Sequence, residues 1–200
     1  MKWRSIYLLA ATLTATITLA FLTGCSSGKR DGTAERLVAI KVTSPHLPFG
    51  NPSEAGSAPN NQLVLRPQFA ASWNSSKRFP NCVAWKLVAS GIGDTERSQF
   101  YADREIDTPS PKDYTRSGYD RGHLCPSKDR SDSPESNKGV FTMLNIIPQV
   151  TDNNRGPWEK AERFERDLAL ADREVYVIAG GAGSQERFKG IDVPESRTLR

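Results

Sequence analysis

Residues 117–127 read SGYDRGHLCPS. An acid, a permanent cation, a glycine and an imidazole stand side by side at Asp120, Arg121, Gly122 and His123, with Cys125 two positions on. Charged side chains are rarely placed in a core without partners, so the stretch has two readings. His123 is a structural histidine in a turn, or it is the base of an active site, a role its near-neutral ordinary pKa suits. On the second reading Gly122 lets the backbone turn tightly between Arg121 and His123.

Downstream, residues 154–171 (NRGPWEKAERFERDLALA) carry the strongest helical pattern in the chain. Asn154, Trp158, Glu162 and Arg166 are spaced by four. At about 100° per residue they form one slowly drifting stripe. Asn154 falls at the mouth of that helix, where backbone N–H groups favour anions. Glu162 and Arg166 are i, i+4 neighbours. The plain alternative is a solvated face of mixed charge with an asparagine cap.

The other elements are read from pattern. Residues 63–73 (LVLRPQFAASW) and 82–88 (CVAWKLV) are apolar and aromatic and flank the turn cluster NSSKRFPN, which predicts a hairpin. Residues 89–119 show no clean period and read as a long functional loop. Ser133-Pro134 opens a short helix, with serine as cap and proline in the first turn. Residues 141–147 (FTMLNII) predict a buried strand ended by Pro148, and 175–179 (VYVIA) another. Strands and helices without regular βαβ alternation indicate an α+β fold. His46, the only other histidine, lies in a proline-rich stretch and is read as solvated.

The 200 residues suit one domain with a real core. Their N-terminus is not expected to be part of it. Lys2 and Arg4 precede an apolar stretch from Ile6 to Leu22, and Leu22-Thr23-Gly24-Cys25 follows. This reads as a secretory signal over 1–24, similar to bacterial lipoprotein signals in which Cys25 would carry the lipid. An uncleaved membrane anchor is the alternative. Residues 25–60, rich in Ser, Gly, Pro and Asn, read as a tether, and 61–200 as the domain. Export and attachment to a bacterial membrane through Cys25 follow. Removing 1–24 from the +4 chain leaves 25 basic against 23 acidic residues, a net of +2. Bulk charge therefore gives no argument for a nucleic-acid partner, and any such argument must come from a local site. Cys82 and Cys125 remain as an even pair in an exported protein, either a disulfide or two separate buried thiols.

Tyr119-Asp-Arg-Gly-His123, then Asn145-Ile-Ile-Pro-Gln149, then Asn154 with Trp158, Glu162 and Arg166 together resemble the DNA/RNA non-specific endonucleases of the ββα-metal (His-Me finger) type. The resemblance covers roughly residues 60–195. It implies a ββα-metal fold with a central antiparallel sheet, and metal-dependent hydrolysis of phosphodiesters in DNA and RNA. By position it implies that His123 is the general base and that Asn154 is the one side chain bound directly to Mg2+, or alternatively Mn2+. Glu162 matches the carboxylate that holds the metal's waters, and Arg121 and Arg166 match arginines that hold phosphate. Asp120, Asn145 and Gln149 match positions that shape the site. Contacts of this kind read backbone rather than base edges, which predicts little sequence specificity.

Three departures from the family pattern stand out. Relatives often carry an arginine after the phenylalanine of the preceding loop, whereas Phe100 is followed here by Tyr101. Arg97 or Arg104 would then have to serve. Cys82 and Cys125 are unusual in such relatives and suggest a disulfide pinning the His123 segment to a strand. Relatives also continue past the match with further strands, so the sheet is expected to be incomplete after 175–179. An inactive nucleic-acid-binding surface lipoprotein and a non-functional fragment remain the competing readings. The sequence leaves open whether an inhibitor protein binds the chain.

Overall fold

A computed structural model of the chain describes residues 44–195. Its framework is a five-stranded sheet made from β1 (Ser57–Ala58), β2 (Asn61–Leu65), β3 (Ala70–Asn74), β4 (Phe79–Leu87) and a strand that arrives much later in the chain. The expected hairpin is present as β3 and β4, paired antiparallel from Ala70↔Ala84 to Asn74↔Phe79. The single strand expected over 63–73 is instead two. Pro67 cannot donate to a ladder, and the chain reverses there, with Arg66 N–H donating to the Phe69 carbonyl at 2.9 Å.

The next part of the chain forms a separate two-stranded ribbon. β5 (Asp120–His123) pairs antiparallel with β6 (Ile146–Gln149), placing Asp120 opposite Gln149 and His123 opposite Ile146. Between them lie a 3₁₀ turn at Ser127–Arg130 and α1 (Pro134–Val140). The Ser133 side chain caps α1 by accepting from Ser136 N–H, as its sequence predicts. The buried strand expected over 141–147 is shorter and later. Met143–Asn145 is a 3₁₀ turn, and Pro148 lies inside β6 rather than ending it.

A composite helix follows. It begins as α2 (Thr151–Asn153), widens into a π turn over Asn154–Trp158, and continues as α3 (Glu159–Leu170). Pro157 lies inside the π turn. Proline removes one i→i−4 hydrogen bond, which favours such a local widening. β5, β6 and this helix make the ββα unit. β7 (Val175–Ala179) returns to the large sheet, antiparallel to β4, giving the order β1-β2-β3-β4-β7. It is half-buried rather than buried, and Ile178 is 58% exposed. β8 (Glu186–Phe188) and β9 (Ile191–Val193) form a small hairpin that the sequence reading missed.

The main core lies between one face of the sheet and the ββα unit. Trp73, Phe79, Val83, Trp85 and Leu87 from the sheet meet Leu124, Phe141, Met143, Leu144 and Ile146. Residues 44–60, read as the end of a tether, instead pack on the opposite face. There Leu47 joins Ala70 and Ala84 in a second cluster, and β1 extends the sheet.

The expected link between Cys82 and Cys125 is absent: both are free thiols. Strand alternation explains why. Val83, Trp85 and Leu87 point into the main core with Cys125, whereas Cys82 lies on the Ala84 side of β4, beside Ser53. The sheet therefore separates the two sulfurs, and burial pushes both thiols up.

Candidate active site

The ribbon and the composite helix bring the predicted charged residues to one cleft. His123 and Arg121 come from β5, Asn154 from the π turn, and Glu162 and Arg166 from α3. Arg97, Ser127, Lys128, Arg155 and Glu159 complete the wall of a cavity of about 230 Å³. Five cationic side chains therefore face two carboxylates in one small space.

His123 is 7% exposed, and its Nε2 is buried with no hydrogen-bond partner among the described residues. The Phe141 ring meets the imidazole edge-on at 4.7 Å between centroids, and the Phe100 ring lies at 5.1 Å. Burial, followed by the nearby Arg97 charge, depresses its pKa to about 3. The imidazole is thus neutral across the physiological range, with burial and the Arg97 charge both opposing its protonation.

The remaining predicted residues lie behind the cleft. Asp120 Oδ2 accepts from Asn154 Nδ2 at 3.0 Å, and the Arg155 guanidinium closes on both Asp120 oxygens at 3.1 Å. Burial alone would raise the Asp120 pKa, but these hydrogen bonds outweigh it and hold the carboxyl below its usual range. Trp158 does not line the cleft. It packs against the main core, and its Nε1 donates to the His123 carbonyl at 3.2 Å. The four-residue stripe therefore splits, and three of its members reach the cleft. Asn154 also lies inside the helix, its backbone N–H bonded to the Val150 carbonyl at 3.0 Å, rather than at an open helix mouth.

Asn145 is a fully buried clamp. Its Oδ1 accepts from Cys125 N–H, and its Nδ2 donates to the Cys125 and Val140 carbonyls, each at 2.9 Å. It fixes the chain just past His123. Gln149 lies on the far side of β5 from the cleft, packed on Gly122. Gly122 has no positive φ, so a tight turn is not its role. Its hydrogen is required by close approach, since a Cβ there would overlap the Gln149 side chain.

Two residues that sequence reasoning passed over, or left as one alternative, complete the site. Arg97 lines the cleft with its guanidinium 5.3 Å from the Phe141 ring, while Arg104 lines a different cavity. Asp129 is wholly buried. Its Oδ1 accepts from Arg166 at 3.1 Å and its Oδ2 from Trp85 Nε1 at 2.9 Å, tying the helix to strand β4. No local signal announces this, because Trp85 is 44 positions away from Asp129.

The donor set fits a hard divalent cation. Asn154 engages Asp120 through its nitrogen, which leaves its carbonyl oxygen, a suitable ligand. Glu162 is raised to about 7 by burial, opposed by Arg166 at 3.8 Å and reinforced by Asp129 and Glu165. A cation held near Glu162 would favour its ionised form against the burial that opposes it. Among the described residues no group of three or more His, Cys, Asp and Glu could hold a metal alone, so most ligands would be waters.

Comparison with known proteins identifies the family and the fold. The family profile described as DNA/RNA non-specific endonuclease matches residues 51–196. A nuclease of Nostoc sp. is 38% identical over 190 residues, covering 89% of this chain and 68% of the Nostoc protein. The human mitochondrial nuclease EXOG is 32% identical over 167 residues, covering 78% of this chain and 41% of its own length. A solved EndoG/EndoGI complex structure shares the fold with a TM-score of 0.59 at 23% identity, over 75% of this chain and 63% of that one. The chain thus spans between about two fifths and two thirds of these relatives' lengths. With strands, helix and profile in agreement, the chain belongs to the DNA/RNA non-specific endonuclease family and has its α+β, ββα-metal fold.

Proposed function

We propose that this protein hydrolyses phosphodiester bonds in DNA and RNA with little sequence preference. The observation that carries this reading is the convergence of a neutral, buried imidazole with Arg97, Arg121 and Arg166 on one cleft. His123 takes a proton from the attacking water. A buried imidazolium beside Arg97 would be costly, so substrate has a part in the step. A phosphate held by Arg97 and Arg121 neutralises that charge and eases proton uptake by His123. Arg97 thereby supplies the cation that Tyr101 does not. Planar, permanently charged guanidinium groups suit phosphate oxygens.

Asn154 and, through water, Glu162 would hold Mg2+ or Mn2+. When bound, such an ion offsets charge on the phosphate and on the departing oxygen. Asp120 and Arg155 fix the Asn154 amide, Trp158 and Asn145 fix the His123 segment, and Asp129 fixes Arg166.

We also propose export and lipid attachment at Cys25. Residues 1–24 and Cys25 lie outside the described residues, and among the described residues no helix is long and apolar enough to cross a membrane. The competing binding-only reading has no observation of its own in the cleft.

Supercoiled plasmid and RNA incubated with the protein in Mg2+ and in EDTA test the reading. Nicking and RNA degradation in Mg2+ alone are expected. Intact substrates with a folded protein in Mg2+ and in Mn2+ would refute it.

A further inference from the structure

A second, larger cavity of about 1030 Å³ adjoins the cleft. Phe100 is the partition. It lines the large cavity, stands 5.1 Å from the His123 ring between centroids, and has the Arg121 guanidinium 4.7 Å from its own centroid. Tyr101 lines the cavity too, so position 101 does not face His123. Its backbone is pinned from both sides, its N–H bonded to the Phe141 carbonyl and its carbonyl to Met143 N–H.

The charges of this cavity are sorted by their partners. Asp103 is fully engaged by Arg66, by the Thr142 hydroxyl and by two backbone N–H groups, and Glu105 also pairs with Arg66. The acids are thus occupied, and Arg66 with them. Arg104 and Lys138 are exposed and have no ion-pair partner among the described residues. The cavity thus presents the half-buried ring of Tyr101, packed on the main core, and two exposed cations, beside the Phe100 ring that meets His123.

We propose that this cavity is a substrate subsite that takes the nucleotide next to the scissile phosphate, with its base against Tyr101 and its phosphate on Arg104 and Lys138. The inference rests on the nuclease reading above and specifies where the strand continues. Every base has a π-face, so stacking on Tyr101 adds affinity without sequence selection. Free cations beside it track the backbone, the usual pairing in single-strand grooves. The ligand is therefore a single-stranded or locally splayed segment of DNA or RNA.

Binding of a short fluorescein-labelled oligothymidylate, followed by anisotropy in EDTA, tests the subsite without catalysis. Hydrolysis of bis(p-nitrophenyl) phosphate in Mg2+, a diester with no flanking nucleotide, reads the cleft alone. Tyr101→Ala should weaken oligonucleotide binding roughly tenfold, and Tyr101→Phe should restore it. The double variant Arg104→Ala/Lys138→Ala, exposed and clear of the core, should weaken binding and lower the salt slope by about 1–2. None of the three should alter hydrolysis of the small diester. Unchanged oligonucleotide binding in the charge-pair variant and in a folded Tyr101→Ala would overturn the subsite. So would an equal loss of small-diester hydrolysis in the charge-pair variant. If the wild type binds the oligonucleotide with these sensitivities yet hydrolyses neither substrate, the subsite stands and the nuclease reading fails.

Discussion

The two histidines of the described chain are equally buried, each 7% exposed, yet the regions around them differ in kind. His46 sits on the outer face of the sheet with both ring nitrogens engaged. Nδ1 accepts from Lys86 N–H at 3.2 Å, so Nε2 carries the proton it donates to the Pro67 carbonyl at 2.9 Å. His123 sits between aromatic rings at the rim of a cationic cleft, and its Nε2 has no partner among the described residues. Buried polar atoms are normally satisfied, and an orphan asks for an explanation. The satisfied imidazole staples residues 44–60 to the sheet. The unsatisfied one is available for chemistry.

Substitution should separate them most sharply. His123→Ala is expected to lower cleavage by about 10²–10⁴-fold while oligonucleotide binding and thermal stability stay near wild type. His46→Ala should leave turnover per folded molecule unchanged. Equal activity losses in the two variants would break the comparison.

The groups that serve His123 come next. Arg97→Ala, which removes a charge from the cleft, and Asp129→Asn, which releases Arg166 from its anchor, should each lower cleavage by roughly 10–100-fold. Arg104→Ala should leave small-diester hydrolysis at the wild-type rate. An Arg97→Ala enzyme as fast as wild type would return the role to another cation.

Stability effects are smaller and fall on both regions. His46→Ala leaves the Lys86 N–H and the Pro67 carbonyl without partners, at a cost of about 1–3 kcal/mol in denaturant unfolding. Gly122→Ala should cost a similar amount, about 1–3 kcal/mol, through overlap with Gln149, and Gln149→Ala in the same chain should recover most of it. No recovery would mean that the overlap is not the cause.

Proton linkage sharpens the contrast further. Burial holds the His46 pKa below its ordinary value, aided by Arg130 and opposed by hydrogen bonding to Pro67. His123 is held down to about 3. The unfolded chain protonates both more readily, so the stability they contribute is whole above about pH 6.5 and drains as pH falls below it. Tm measured from about pH 7 to about pH 4 should fall less steeply in His123→Ala than in wild type. Unchanged slopes would remove His123 from the linkage. The smallest expected signal comes from the cysteines. Alkylation of the denatured, unreduced protein should label both Cys82 and Cys125.

What the sequence made legible follows from range. Local period placed Asn154, Glu162 and Arg166 on one helix, whereas His123 and Arg121 joined them only through the resemblance of their motifs to the nuclease family. The π turn blurred this prediction. Trp158 donates to the His123 carbonyl while Asn154 lines the cleft, and the π turn that holds both is absent from a straight-helix reading. The staple of His46 on Lys86, the anchor of Arg166 on Asp129 and Trp85, and the separation of the cysteines all depend on partners about 40 residues away or on strand facing. No local pattern encodes them. The β8–β9 hairpin has three residues per strand, too short for alternation to register.

Chemical rescue tests the assignment of His123 most directly. His123→Gly protein would be given plasmid and Mg2+ with increasing imidazole. The account predicts negligible cleavage without imidazole and a rate that rises with the concentration of its neutral form. Cleavage at the wild-type rate with no imidazole present would contradict it.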